Sequence, residues 1–178
     1  MWWIKYNITL RWGSFGSSDA ISKVVLKDAR HYEISMRTWS DWLELNVNRT
    51  KTKLFFMSLS PFHTNGEHFD GHSCYNETKP VSKKDYWSIQ TDREMMGIAE
   101  STIERLKGRG LHVQYLNITH LSDYRRDAHV SMSRNLSYLK NRESLINNPQ
   151  QYADCVHWCL PGVPDVWNII LYHYIINT

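Results

Sequence analysis

The chain has 178 residues, of which 42% are hydrophobic and 13% aromatic, enough for one domain with a substantial core. A net charge of +3 and a pI near 8.7 are mild. Lys and Arg are interspersed with Asp and Glu, which argues against nucleic acid as a partner, and the apolar stretches 54–57 and 169–172 are far shorter than the roughly 20 residues a membrane span needs.

The amino terminus, Met1-Trp2-Trp3-Ile4-Lys5, has no basic region leading into an apolar stretch and a cleavage site, so it does not read as a signal peptide. Five Asn-x-Ser/Thr acceptors, at Asn7, Asn48, Asn76, Asn117 and Asn135, nevertheless point to the secretory pathway. Cys74, Cys155 and Cys159 make an odd count, which in an oxidising compartment leaves one thiol seeking a partner elsewhere. Acceptor sites without a targeting segment, together with an unpaired cysteine, lead to the expectation of further sequence upstream.

Over residues 29–49, Tyr32, Met36, Trp39, Leu43 and Val47 recur at helical steps and predict a core-facing helix. The apolar run 53–58 follows, with the length and composition of a central parallel strand. Residues 61–90 are polar and without period, as in a functional or substrate-facing loop. Thr91 and Glu94 read as a capping box opening a helix with Met95, Ile98, Ala99, Ile103 and Leu106 inward, closed by Gly108 or Gly110. A strand is expected over 111–118, an irregular stretch over 119–153, and a last short helix capped at Pro164-Asp165 and carrying Trp167, Ile170, Leu171 and Tyr174. Helix, strand, helix, strand in this order predicts an α/β fold with parallel crossovers.

Asp154-Cys155-Val156-His157 sets a carboxylate three residues before an imidazole, next to the turn at Cys159-Leu160-Pro161-Gly162. In one tight turn Asp154 can accept a hydrogen bond from one ring nitrogen of His157, leaving the other nitrogen as a base. Four residues alone are a weak pattern. Their surroundings are specific: the segment Tyr152-Ala153-Asp154-Cys155-Val156-His157-Trp158-Cys159-Leu160-Pro161-Gly162-Val163-Pro164-Asp165-Val166-Trp167-Asn168 resembles the C-terminal signature of the trichome birefringence-like family, which joins the plant cell-wall O-acetyltransferases and the PC-esterases. Trp39-Ser40-Asp41-Trp42, the run 48–53, Phe55-Phe56-Met57-Ser58-Leu59-Ser60-Pro61 with His63, and Cys74-Tyr75-Asn76-Glu77-Thr78 agree with it, so the resemblance spans nearly the whole chain. The motifs stand nearest the branch assigned to xylan.

The resemblance implies that residues 1–178 are the C-terminal part of a single catalytic domain, an α/β/α sandwich like the SGNH hydrolases with a mainly parallel sheet. It implies acetyl transfer to hydroxyls of a polysaccharide such as xylan, with an acetyl donor as co-substrate (acetyl-CoA is one candidate) and no bound cofactor. Asp154 and His157 would be the acid and base of a Ser-His-Asp apparatus, and the full-length protein would face the Golgi lumen on an N-terminal anchor absent here. No Gly-Asp-Ser occurs in the chain, and Gly13-Ser14-Phe15-Gly16-Ser17-Ser18-Asp19 is a superficial echo of it. The serine is therefore expected upstream, and these residues alone are expected not to turn over. The resemblance also favours a Cys74–Cys155 bridge, leaves Cys159 for a cysteine elsewhere, and places His63 near the substrate cleft.

Two other readings stay beside it. His63, His68, Asp70, His72 and Cys74 are zinc-ligand types within twelve residues, but their spacing matches no standard pattern and no metal is expected. The tryptophans could instead form a carbohydrate-binding surface; Trp39, Trp42 and Trp167 read as core and Trp158 as the one beside substrate. Arg125, Arg126 and His129 form a polar group able to meet a glycan or to face water.

Overall fold

The computed structural model describes residues 8–12, 21–25, 29–64, 73–133 and 146–177. These fall into two compact units, one built from the chain up to Leu54 and from Arg93–Val113, the other from Phe55–Asp92 and the remainder.

In the first unit, β1 (Ile8–Trp12) and β2 (Ile21–Val25) pair antiparallel, Ile8 opposite Val25 and Trp12 opposite Ile21. Helices α1 (Ala29–Asn46) and α2 (Arg93–Gly108) pack against each other. Met36 and Leu43 are buried on α1, and Ala99, Ile103 and Leu106 on α2, as the helical spacing predicts. Ser40 and Thr102 are buried with them, because each hydroxyl donates back to its own helix, to the Arg37 and Ile98 carbonyls at 2.8 Å. Tyr32 and Trp39 are half-buried, and Trp42 is 58% exposed rather than in the core. Arg109 bridges to Glu44 at 2.8 Å.

Of the two ends of α2, the first departs from expectation and the second meets it. Thr91 lies outside the helix and its hydroxyl is drawn to the Asp123 carboxylate instead, at 2.8 and 2.9 Å, so the capping box does not form. The far end closes as expected in a Schellman motif: Leu111 N–H donates to the Leu106 carbonyl at 3.0 Å and Gly110 N–H to that of Lys107 at 2.9 Å, with Leu106 and Leu111 both buried. Gly110 carries the positive φ of 79° that this turn requires.

Strands β3 (Leu54–Met57) and β4 (Val113–Leu116), which belong to the second unit from Phe55 and from Gln114 onward, lie side by side in a small parallel sheet, with Phe56 and Tyr115 stacked across it at 6.1 Å. Met57 is 56% exposed and β3 has only this one strand neighbour among the described residues, so it is less enclosed than its composition predicts. The strand expected to run on to Ile118 stops at Leu116. Asn117 caps a short helix there, α3 (Ile118–Asp123), accepting from the His120 N–H at 3.3 Å. The segment read as irregular also holds a 3₁₀ turn at Arg126–Ala128, strand β5 (His129–Ser131) and a second 3₁₀ turn at Pro149–Tyr152. Strand β6 (Asp154–Trp158) pairs with β5 antiparallel, so of the three described pairings only one is parallel. Helix α4 (Val163–Asn177) follows, its first turn fixed by the Asp165 carboxylate reaching back to the Gly162 N–H at 2.6 Å. Trp167, Ile170, Leu171 and Tyr174 lie on its half-buried side.

Two glycines of α2 and its cap separate conformational cost from packing. A Cβ on Gly97 would meet nothing within 4 Å, and one on Gly110 only Arg49 Nη1 at 3.7 Å. Gly97→Ala should therefore stabilise the fold by about 0.5–1 kcal/mol through helix propensity, and Gly110→Ala should cost about 1–2 kcal/mol through its left-handed φ. Urea unfolding of both variants checks this; a neutral Gly110→Ala would contradict the Schellman assignment.

Candidate active site

In a regular strand, residues three apart point to opposite faces, so Asp154 and His157 could not meet. The β5–β6 ladder pairs Ser131 with Asp154 and His129 with Trp158, two steps on β5 against four on β6. Strand β6 therefore bulges by two residues between those pairs, and Ser131 takes a positive φ of 49° at the irregularity. The bulge turns Asp154 and His157 toward each other. The His157 Nδ1 lies 2.9 Å from Asp154 Oδ2 and 3.1 Å from Oδ1, while Oδ1 also accepts from the His157 N–H at 3.0 Å and the Val156 N–H at 3.2 Å. The expected contact is present, on a bulged strand rather than in a tight turn.

Asp154 is 11% exposed and His157 76% exposed. Burial alone would raise the pKa of Asp154, but the bonds from the His157 backbone and ring and from the Val156 N–H outweigh it and hold the carboxyl below its ordinary value. An ionised Asp154 only accepts, so Nδ1 of His157 is the protonated nitrogen, and Nε2, with no hydrogen-bond partner among the described residues, faces outward with its lone pair free.

Beneath this pair sits a row of groups that spacing could not reveal. His129 Nδ1 lies 3.0 Å from the His157 carbonyl oxygen, and His129 Nε2 lies 2.8 Å from His63 Nδ1. His63 Nε2 stands 3.9 Å from Asp123 Oδ1. His63, His129 and Asp123 are all buried. Burial, and then the charges of His129 and Arg126, push His63 down to about 3, and burial likewise lowers His129 and raises Asp123. Trp158 covers the row: its ring stacks on His129 at 4.0 Å, meets Trp167 edge-on at 5.8 Å, and its Nε1–H donates to Ser60 Oγ at 2.7 Å.

Cys74 and Cys155 form a disulfide with Cα atoms 5.4 Å apart, and Cys159 is a free, exposed thiol, as the resemblance implies. Other expected site residues are placed differently. His63 is 1% exposed and lies in the interior. Arg126 also faces inward, donating to the Tyr86 hydroxyl with its guanidinium 5.2 Å from that ring, whereas Arg125 is a partly exposed two-point pair with Asp127 at 2.9 and 3.1 Å. Arg125, Arg126 and His129 thus do not make one outward group. Of the histidine-rich segment, His68, Asp70 and His72 lie outside the described residues, and Cys74 is spent in the disulfide. Among the glycosylation acceptors, Asn48, Asn76 and Asn117 are exposed, and Asn7 and Asn135 lie outside the described residues. His129 could have been singled out from sequence only as a member of the Arg-Arg-Asp-Ala-His run, which gives no hint of burial.

Residues 1–174 match the model of the PC-Esterase family, described as a GDSL/SGNH-like acyl-esterase family found in Pmr5 and Cas1p. The chain is 45% identical to "Protein trichome birefringence-like 34" of Arabidopsis thaliana over 99% of its own length and 43% of that protein's. It is 38% identical to "Xylan O-acetyltransferase 14" and 42% identical to "Xylan O-acetyltransferase 13" of Oryza sativa subsp. japonica, over 99% of the chain and 42% and 36% of those proteins. The chain therefore spans about two fifths of the length of these relatives.

The lowered pKa of His63 has a measurable sign. The unfolded chain takes up the proton near the ordinary 6.5, the folded chain only near 3, so between those values the folded state binds fewer protons and loses stability on acidification. The loss is about 1.4 kcal/mol per pH unit at most. His63→Asn keeps an amide donor toward His129 and cannot titrate. Urea unfolding from pH 6.5 to 4.5 should cost the native chain about 2–3 kcal/mol more than this variant; equal slopes would show that His63 does not titrate as a buried group.

Proposed function

Because the chain belongs to the PC-esterase family, with relatives named trichome birefringence-like and xylan O-acetyltransferase, we propose that it supplies the acid and base half of a polysaccharide O-acetyltransferase site, with xylan as the acceptor class. The observation that carries this reading is the Asp154–His157 pair on the β6 bulge, with Nδ1 committed at 2.9 Å and Nε2 free at the surface. That is the arrangement a base needs in order to activate a hydroxyl.

Two half-reactions follow from it. First, His157 Nε2 takes the proton of a serine hydroxyl as its oxygen bonds to the acetyl carbon. The bond from that carbon to the donor's leaving group breaks, and the proton passes to the leaving group. Then Nε2 takes the proton of a sugar hydroxyl, whose oxygen attacks the acetyl-serine. The acetyl-serine bond breaks and the proton returns to the serine. Asp154 keeps the ring oriented and stabilises the imidazolium formed in each half. An acetyl donor is required as co-substrate, and no bound cofactor enters either step. No Gly-Asp-Ser occurs in the chain, so in this reading the 178 residues do not turn over without a serine supplied from outside them. Exposed acceptors at Asn48, Asn76 and Asn117 support a glycoprotein of the secretory lumen, and the Golgi is the compartment proposed.

Joining the chain to the unmatched part of "Protein trichome birefringence-like 34" gives a protein in which the reading can be tested. His157→Ala there should lower acetyl transfer to a xylan oligosaccharide by at least about 10³-fold. A serine-directed fluorophosphonate should label the joined protein and not the chain alone. Retained transfer in the variant, or stoichiometric labelling of a serine among residues 1–178, would sink the assignment.

A further inference from the structure

The buried histidines have a direction that the chemistry of their partners fixes. A peptide carbonyl only accepts, so at 3.0 Å from the His157 carbonyl oxygen the His129 Nδ1 must carry a proton. Neutral His129 then has a bare Nε2, and the 2.8 Å contact with His63 requires the proton to lie on His63 Nδ1. Both rings are therefore Nδ1–H tautomers. His63 Nε2 is left as a buried acceptor with no hydrogen-bond partner among the described residues, facing Asp123. The row runs one way, from His63 through His129 to the backbone of His157.

Its end point matters because of the bulge. The ladder pairs Asp154 and Trp158 with β5, and the row's last bond goes to the carbonyl of His157, which lies within the bulge between those two pairs. His129 is anchored from three other sides. It pairs with Trp158 in the ladder, its ring lies against the Trp158 ring, and the flanking chain is tied by Cys159 N–H donating to the Ala128 carbonyl at 3.0 Å. We propose that His129, oriented by His63, is a positioning residue for the base: its Nδ1–H holds the His157 carbonyl and so fixes the bulge on which the imidazole of His157 meets Asp154. This role rests on the reading of His157 as the base. It adds a device that controls which ring nitrogen of His157 faces solvent.

Long-range ¹⁵N–¹H correlation of the imidazoles in the 178-residue chain at pH 7 tests it without any variant. His63 and His129 should both be protonated at Nδ1 and bare at Nε2, and His157 should be a single Nδ1–H tautomer. An Nε2–H form of His129 would overturn the proposal outright. Substitutions then separate positioning from bulk. An asparagine amide nitrogen sits as many bonds from Cα as Nδ1 does, and a glutamine amide nitrogen as many as Nε2. His129→Asn should retain the single His157 tautomer, while His129→Gln and His129→Phe should let His157 exchange between both. An unchanged His157 tautomer in His129→Phe would show that the row does not position the base. If the tautomers are as stated but His157→Ala leaves acetyl transfer intact in the joined protein, the row stands and the catalytic reading falls, so the two failures are distinct.

Discussion

Two stretches of the loop after β3, at His63 and at Cys74, are tied to the distant β6 at one point around the Cys74–Cys155 disulfide. Cys155 is bonded to Cys74, its carbonyl accepts from the His63 N–H at 2.8 Å, and the His63 carbonyl accepts from the Cys74 N–H at 3.1 Å. The cross-link closes a loop over a sequence separation of 81, worth up to about 4.5 kcal/mol in the chain-entropy model. Its position matters more than that figure. Cys155 stands between Asp154 and His157, so fixing it restrains the short stretch of backbone that carries both side chains. The same knot sets the backbone of His63, the first ring of the buried row.

From this point the rest of the site follows by a short chain of causes. The bulge in β6 is what lets residues three apart face each other, and bulges survive only where the surrounding structure determines them. Here the determinants come from both sides of His157. The disulfide holds the residue two before it, and the ladder pair with His129 and the Nε1–H bond to Ser60 hold the residue after it. The carbonyl of His157 itself is held by His129. A side chain 76% exposed to water is thus mounted on backbone that is held on both sides of it. That combination is what a general base requires, since it must reach a substrate yet keep one tautomer.

Much of this was legible in the chain and some was not. The helical steps of Met36 and Leu43, and of Ala99, Ile103 and Leu106, put the right residues in the first unit's interior, because apolar periodicity reports directly on burial. Asp154 and His157 were legible from their spacing and signature, and the disulfide from the resemblance around it. The tertiary partners were not. Thr91 looks like a cap because a local pattern cannot register that Asp123, thirty-two residues on, competes for its hydroxyl. Ile118 looks like the end of a strand because the capping role of Asn117 is masked by the apolar residues around it. His63 and His129 read as surface or cleft residues because histidine is usually at least partly exposed; each is buried only because the other satisfies one of its nitrogens. A two-residue bulge leaves no mark in composition at all.

The central claim is that the free nitrogen of His157 serves a nucleophilic hydroxyl, and a crystal structure of the chain joined to the unmatched part of its Arabidopsis relative tests that most directly. The account predicts a serine Oγ within about 2.6–3.2 Å of His157 Nε2, with Asp154 still on Nδ1. A structure in which Nε2 meets no hydroxyl, or in which Asp154 and His157 have parted and β6 runs without its bulge, would contradict it.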